Sequence, residues 1–106
     1  LLRRTLRSGQ SLRHPGHVVI IGDVNPGAEI IAGGDVVVWG KLRGMVHAGA
    51  LGDDKAIVCA LELAPTQLRI GSYIAISPNE TGSQSVQPEI ASVVNGQIVA
   101  EPWPSK

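Results

Sequence analysis

His17–Gly34 reads HVVIIGDVNPGAEIIAGG, and Asp35–Gly49 reads DVVVWGKLRGMVHAG. Set one above the other, Gly22 falls on Gly40 at a spacing of 18. Two residues then drop out of the turn, so that Ile30 falls on Val46 and Gly33 on Gly49. Ala56–Gly71 (AIVCALELAPTQLRIG) reads as a third copy with extra residues around Gly52–Lys55, and Ser72–Ile76 (SYIAI) as the start of a fourth. Upstream, Leu6 falls on Val24, Gly9 on Gly27, Leu12 on Ile30 and Gly16 on Gly34, again at 18. A fixed period of this kind marks a repeat architecture, in which each unit buries its apolar side only against its neighbours.

Eighteen residues make three sides of six. No stretch keeps a 3.6-residue apolar period, and Gly or Pro interrupts nearly every window long enough for a helix. The sequence therefore predicts an all-β fold over residues 1–76, a triangular parallel β-solenoid of about four coils stacked ~4.8 Å apart. Composition agrees. Of 106 residues, 43% are hydrophobic, yet there is no Phe, one Tyr and two Trp. The apolar mass is Val, Ile, Leu and Ala, which suits pleated strands around an interior too narrow for rings. Ser77–Glu89 (SPNETGSQSVQPE) is polar and reads as a flexible linker. Residues 90–101 read as two strands about Asn95–Gly96, a strong hairpin signal, capping or extending the solenoid. Residues 102–106 read as a loose tail, and the start at Leu1 without Met suggests the C-terminal part of a longer protein.

The columns of the repeat assign inside and outside, because strand side chains alternate between faces. Leu6, Val24, Leu42 and Leu63 form one aliphatic column, and Leu12, Ile30, Val46 and Leu68 another; both are expected inside. Arg13, Ile31, His47 and Arg69 are expected outside. The remaining side is apolar in both parities. The smaller set, with Val18, Val36, Ile57 and Tyr73 beside Ile20, Val38, Cys59 and Ala75, is expected inside. Val19, Ile21, Val37, Trp39, Val58, Ala60, Ile74 and Ile76 are then an exposed ladder, expected to form a homodimer interface because monomers seldom carry such a patch.

Charge and motifs narrow the function. Nine Lys and Arg balance nine Asp and Glu, which argues against a generally basic nucleic-acid surface. No apolar run approaches the ~18 residues of a membrane span, and the Arg-rich start lacks the apolar stretch of a signal peptide. One cysteine excludes an internal disulfide and a multi-cysteine zinc site, and fits a cytoplasmic address. His14, His17 and His47 have no ligand spacing with Cys59, and Asp53–Asp54 read as a solvated turn. There is no phosphate-binding glycine loop. These readings give no catalytic, metal or cofactor site. Arg7-Ser8-Gly9-Gln10 stands apart. It occupies the corner that reads Asn25-Pro26-Gly27-Ala28 one coil on, where the turn needs only the glycine. Arg3, Arg4 and Arg13 lie beside it in sequence, a local basic patch suited to an acidic partner.

Arg7–Gln10 (RSGQ), Gly22–Asp53 and Ala64–Ile76 together resemble the C-terminal domain of the septum site-determining MinC family. GAEIIAGGD, VxGxLRG, HAGA and PTQLRI carry the resemblance in order, over about residues 2–101. It implies a short right-handed parallel β-helix that dimerises through one apolar side. It further implies binding to the ATP-bound, membrane-associated ATPase MinD, with Arg7, Ser8, Gly9 and Gln10 in the site, and a contribution to contact with the division protein FtsZ. Some members carry an acidic residue after the AEIIA-like strand; this chain has Gly33 there, so that role does not transfer. The expectation is a non-enzymatic dimeric adaptor that localises a division inhibitor, recruited to the inner face of the cell membrane by its partner. A self-polymerising β-solenoid scaffold is the alternative. A solenoid acyltransferase fits poorly, since Pro26, Asp53–Lys55 and Pro65 interrupt the hexads.

Overall fold

The computed structural model describes residues 1–76 and 87–102. Its strands are β1 (Ser11–His14), β2 (Val18–Ile21), β3 (Glu29–Ala32), β4 (Val36–Leu42), β5 (Met45–Ala48), β6 (Val58–Leu63), β7 (Gln67–Ile70), β8 (Tyr73–Ile76), β9 (Glu89–Val94) and β10 (Gln97–Pro102). They form two five-stranded sheets, ordered β1-β3-β5-β7-β8 and β10-β9-β6-β4-β2. The third side is a ladder of bridges, Leu6 to Val24 and Val24 to Leu42, continued by the Leu42–Leu63 pair of β4 and β6. The result is a β-solenoid of about three turns, all strand and without helix among the described residues.

The two aliphatic columns stack as the repeat demands. Leu12 pairs with Ile30, Ile30 with Val46, and Val46 with Leu68. Leu6, Ile20, Val24, Ile30, Val36, Val38, Leu42, Val46, Val58 and Ile70 are all but inaccessible, and among the described residues no polar side chain is buried. Each such side chain is worth roughly 1.5–3 kcal/mol relative to exposure. Burial is continuous because each coil lays its inward residues on those of the coil before it. The opposite parity of the β1 sheet, Arg13, Ile31, His47 and Arg69, points outward in register.

Polar side chains hold the corners together across coils. Thr5 Oγ1 accepts from the Asp23 N–H (3.2 Å), and Asp23 Oδ1 accepts from the Lys41 N–H (2.9 Å). His17 Nδ1 accepts from the Asp35 N–H, and Asp35 Oδ1 from the Ile57 N–H, each at 2.9 Å. Asp54 Oδ1 accepts from the Ser72 N–H (3.0 Å). A corner residue thus caps a backbone donor that the turn leaves free in the next coil.

Two expectations are corrected. Val36 pairs with Val58, Val37 with Cys59 and Val38 with Ala60, one residue later than a constant offset would give. The register then shifts between Val38 and Lys41, where Trp39 and Gly40 of β4 stand against the single residue Leu61 before Lys41 meets Glu62. This β-bulge absorbs the difference, and a one-residue slip exchanges the two faces. Val58 and Ala60 are therefore inward and buried, and Cys59 belongs to the outer face. The second correction concerns Ser72–Ile76. It is not a fourth coil: β8 turns back antiparallel on β7 through Gly71 and Ser72, with Ile70 beside Tyr73 and Arg69 beside Ile74. Gly71 takes φ +59°, a left-handed conformation that admits this tight reversal.

The C-terminal strand pair forms as read. Asn95 and Gly96, both with positive φ, join β9 to β10, and β9 runs antiparallel to β6 as the next strand of that sheet. Ala91 pairs with Val58 and closes the core. Of the expected linker, residues 77–86 lie outside the described residues, while Glu89 already belongs to β9. Of the expected tail, residues 103–106 lie outside them too.

Candidate functional site

Arg7, Ser8, Gly9 and Gln10 form one exposed corner between the bridge ladder and β1. Leu6, 1% exposed, fixes its start: its N–H donates to the Asp23 carbonyl and its own carbonyl accepts from the Asn25 N–H, both at 2.9 Å. The Gln10 N–H donates to the Arg7 carbonyl (2.9 Å), closing a four-residue turn with Gly9 at φ +88°. One coil on, Asn25-Pro26-Gly27-Ala28 makes the same turn, with Gly27 at φ +90°. Pro second and Gly third is the pattern of a type II turn. The Gly9 N–H donates to the Gly27 carbonyl (2.9 Å), so the two turns stack. Any Cβ on Gly27 would strike Ser8 Oγ; the bare glycine lets Ser8 rest on the turn beside it.

Gln10 shapes the corner as well as lining it. Its Oε1 accepts from the Arg7 N–H (2.7 Å), which leaves its amide N–H groups for a partner. The Arg7 guanidinium takes part in no ion pair among the described residues. The corner is thus preformed and carries an open planar fork, a hydroxyl and an amide. Arg3, Arg4 and Arg13 are exposed as well, but Arg13 lies around the corner on the β1 sheet.

The apolar face is the outer side of the β2–β4–β6–β9 sheet. Val19, Val37, Cys59 and Ile90 form one row, and Ile21 and Trp39 stand together in another, 41% and 62% exposed. Of the expected ladder, Val19, Ile21, Val37 and Trp39 share this face. Val58 and Ala60 lie beneath it in the core, and Ile74 and Ile76 belong to β8 in the other sheet. Ile90 went unrecognised because the hairpin's place beside β6 has no counterpart in the repeat. Burial pushes the Cys59 thiol pKa up, and the Asp35 carboxylate pushes it further the same way. Among the described residues no cluster of His, Cys, Asp and Glu is arranged to hold a metal, and no helix is long and apolar enough to cross a membrane.

The family model described as septum formation inhibitor MinC, C-terminal domain, matches residues 1–103. The chain belongs to that family. Relatives called probable septum site-determining protein MinC include one from Heliobacterium modesticaldum, 54% identical over 101 residues that make up 95% of this chain and 35% of the relative. Another, from Clostridium novyi, is 52% identical over 101 residues, 95% of this chain and 48% of the relative. The chain thus spans between a third and a half of the length of these relatives. Among solved structures, a chain of the MinC:MinD cell division protein complex from Aquifex aeolicus matches with a TM-score of 0.89 and 42% identity, covering 99% of this chain and 87% of that one.

Proposed function

We propose that this MinC-family domain is a non-enzymatic, dimeric adaptor that MinD captures in its ATP-bound form at the membrane. Arg7, Ser8, Gly9 and Gln10 form the capture site. A division inhibitor joined to the domain is thereby placed away from mid-cell, with FtsZ as the assembly it restrains. The domain is cytoplasmic and reaches the inner face of the membrane only through its partner. The observation that carries this reading is the close match, over 99% of the chain, to a protein solved in a complex with MinD. The preformed corner supports it, because a rigid site loses little ordering entropy on binding.

Dimerisation uses the outer face of the β2–β4–β6–β9 sheet, with Val19, Ile21, Val37 and Trp39 as its anchors and Cys59 and Ile90 completing the row. A two-fold contact through this face is expected to bury the usual ~1,200–2,000 Å². Two capture corners on one particle raise avidity for MinD arrayed on a membrane when both engage. The test is capture of the domain by immobilised MinD with ATP and with ADP. Retention with ATP alone supports the adaptor; equal retention, or none, contradicts it. Filaments of the domain without any partner would favour a scaffold instead.

A further inference from the structure

We infer that Arg43 is a second anchor of the partner-binding surface, two rungs from Arg7 on the same outward column. This inference rests on the MinD-capture reading above and extends it from a corner to a side of the solenoid. The bridge ladder fixes the geometry. Leu6, Val24, Leu42 and Leu63 stack inward, so the residue after each falls in one column outside: Arg7, Asn25, Arg43 and Ala64. The backbone holds that column in place, since the Asn25 N–H donates to the Leu6 carbonyl (2.9 Å), the Arg43 N–H to the Val24 carbonyl (2.8 Å) and the Ala64 N–H to the Leu42 carbonyl (2.9 Å). Arg7 and Arg43 are exposed, and neither forms an ion pair among the described residues. The column holds two arginines, one amide and no acid.

Two steps of about 4.8 Å put the Arg7 and Arg43 backbones roughly 10 Å apart. Carboxylates seven residues apart on one helix face, about 10.5 Å, match that spacing. The partner surface that suits the ladder is therefore an acidic strip with two carboxylates at this separation and a polar group between them to meet Asn25. Each guanidinium pairs with a carboxylate through two parallel bonds, which sets register as well as strength. The VxGxLRG stretch gains a purpose from this placement: Leu42 anchors the rung inside and Arg43 presents the charge outside.

The test uses the dimeric domain and ATP-loaded MinD on anionic vesicles, with binding read by co-sedimentation at several salt concentrations. Arg43→Ala is expected to weaken binding about tenfold or more and to flatten its salt dependence. Arg69→Ala, which removes an equally exposed arginine from a different side, is expected to leave binding within about twofold. Arg43→Lys keeps the charge but not the fork, and is expected to recover only part of the loss. Should Arg43→Ala loosen the fold, Arg43→Gln, which keeps most of the stem, gives the same comparison. Wild-type binding by a folded Arg43 variant, with Arg7→Ala impaired, overturns the ladder and leaves the capture corner standing. Equal losses for Arg43→Ala and Arg69→Ala overturn it as well, by reducing the effect to net charge. Undiminished binding by Arg7→Ala would instead remove the reading on which the ladder rests.

Discussion

Val58 lies beside Val36, a separation of 22 residues, although Leu63 of the same strand lies beside Leu42, a separation of 21. One residue is taken up between the two pairs, at the Trp39–Gly40 bulge. The bulge decides which side of β6 joins the core. It puts Val58 inside and leaves Cys59 facing out beside Val37.

Val58→Asp should therefore prevent folding, since it places a carboxylate without a partner in an interior where, among the described residues, no polar side chain is buried. Cys59→Ala, one position along, should leave the melting temperature nearly unchanged. Circular dichroism melts of the two variants check this, and similar behaviour would restore the constant-offset register.

Ile30→Ala and Leu42→Ala should each cost about 2–5 kcal/mol in denaturant unfolding, because the stacked coils above and below cannot close the cavity. Ile31→Ala should cost far less, since that side chain points outward with Arg13 and His47. Equal costs for Ile30 and Ile31 would contradict the inside–outside assignment of the β1 sheet.

Cys59 links pH to stability. Its thiol pKa is raised by burial and by Asp35, so the folded protein holds the proton more tightly than the unfolded chain does. The associated stability is complete below the ordinary thiol value of 9.0 and is lost as pH rises above it. Unfolding midpoints between pH 7 and 10.5 should fall less steeply for Cys59→Ala than for the parent chain. Parallel curves would show that the thiol titrates alike in both states.

Trp39→Glu should give monomers by sedimentation, and should speed alkylation of Cys59 on the same face. A monomeric parent domain at high micromolar concentration would remove the interface.

Much of this was legible in the sequence because a solenoid repeats its inward residues. Three sides and two of the core columns followed from spacing alone, and the C-terminal hairpin from the Asn95–Gly96 turn signal. The β6 register did not, because Ile57, Val58, Cys59 and Ala60 are all apolar or small and fit either parity equally well. Only the bulge breaks the tie. The reversal of β8 was hidden for a related reason: SYIAI alternates as well antiparallel as parallel. Its signal was Gly71-Ser72, a two-residue hairpin loop. The corner ladder had one too, since Thr5, Asp23 and Lys41 recur at 18, as do His17 and Asp35. At the Arg7–Gln10 corner the residues were readable, but the bond from the Arg7 N–H to Gln10 was not, because it depends on how the turn folds.

That bond separates the structural role of Gln10 from its proposed role in binding. Gln10→Glu retains an acceptor for the Arg7 N–H while removing the amide donors, so it should keep the turn and weaken partner binding. Gln10→Ala should do both, loosening the corner as it weakens binding. Amide hydrogen exchange at Arg7, set beside the affinity for MinD, distinguishes them; faster exchange in Gln10→Glu would contradict the retained turn.

The measurement that bears most directly on the account is the affinity of Arg7→Ala for ATP-loaded MinD on vesicles. Arg7 is exposed and unpaired among the described residues, so its loss should leave the fold and the proposed dimer intact. Binding should drop at least tenfold, with Lys55→Ala as an unaffected control at a different corner. Wild-type affinity in a folded, dimeric Arg7→Ala domain would contradict capture through the Arg7–Gln10 corner.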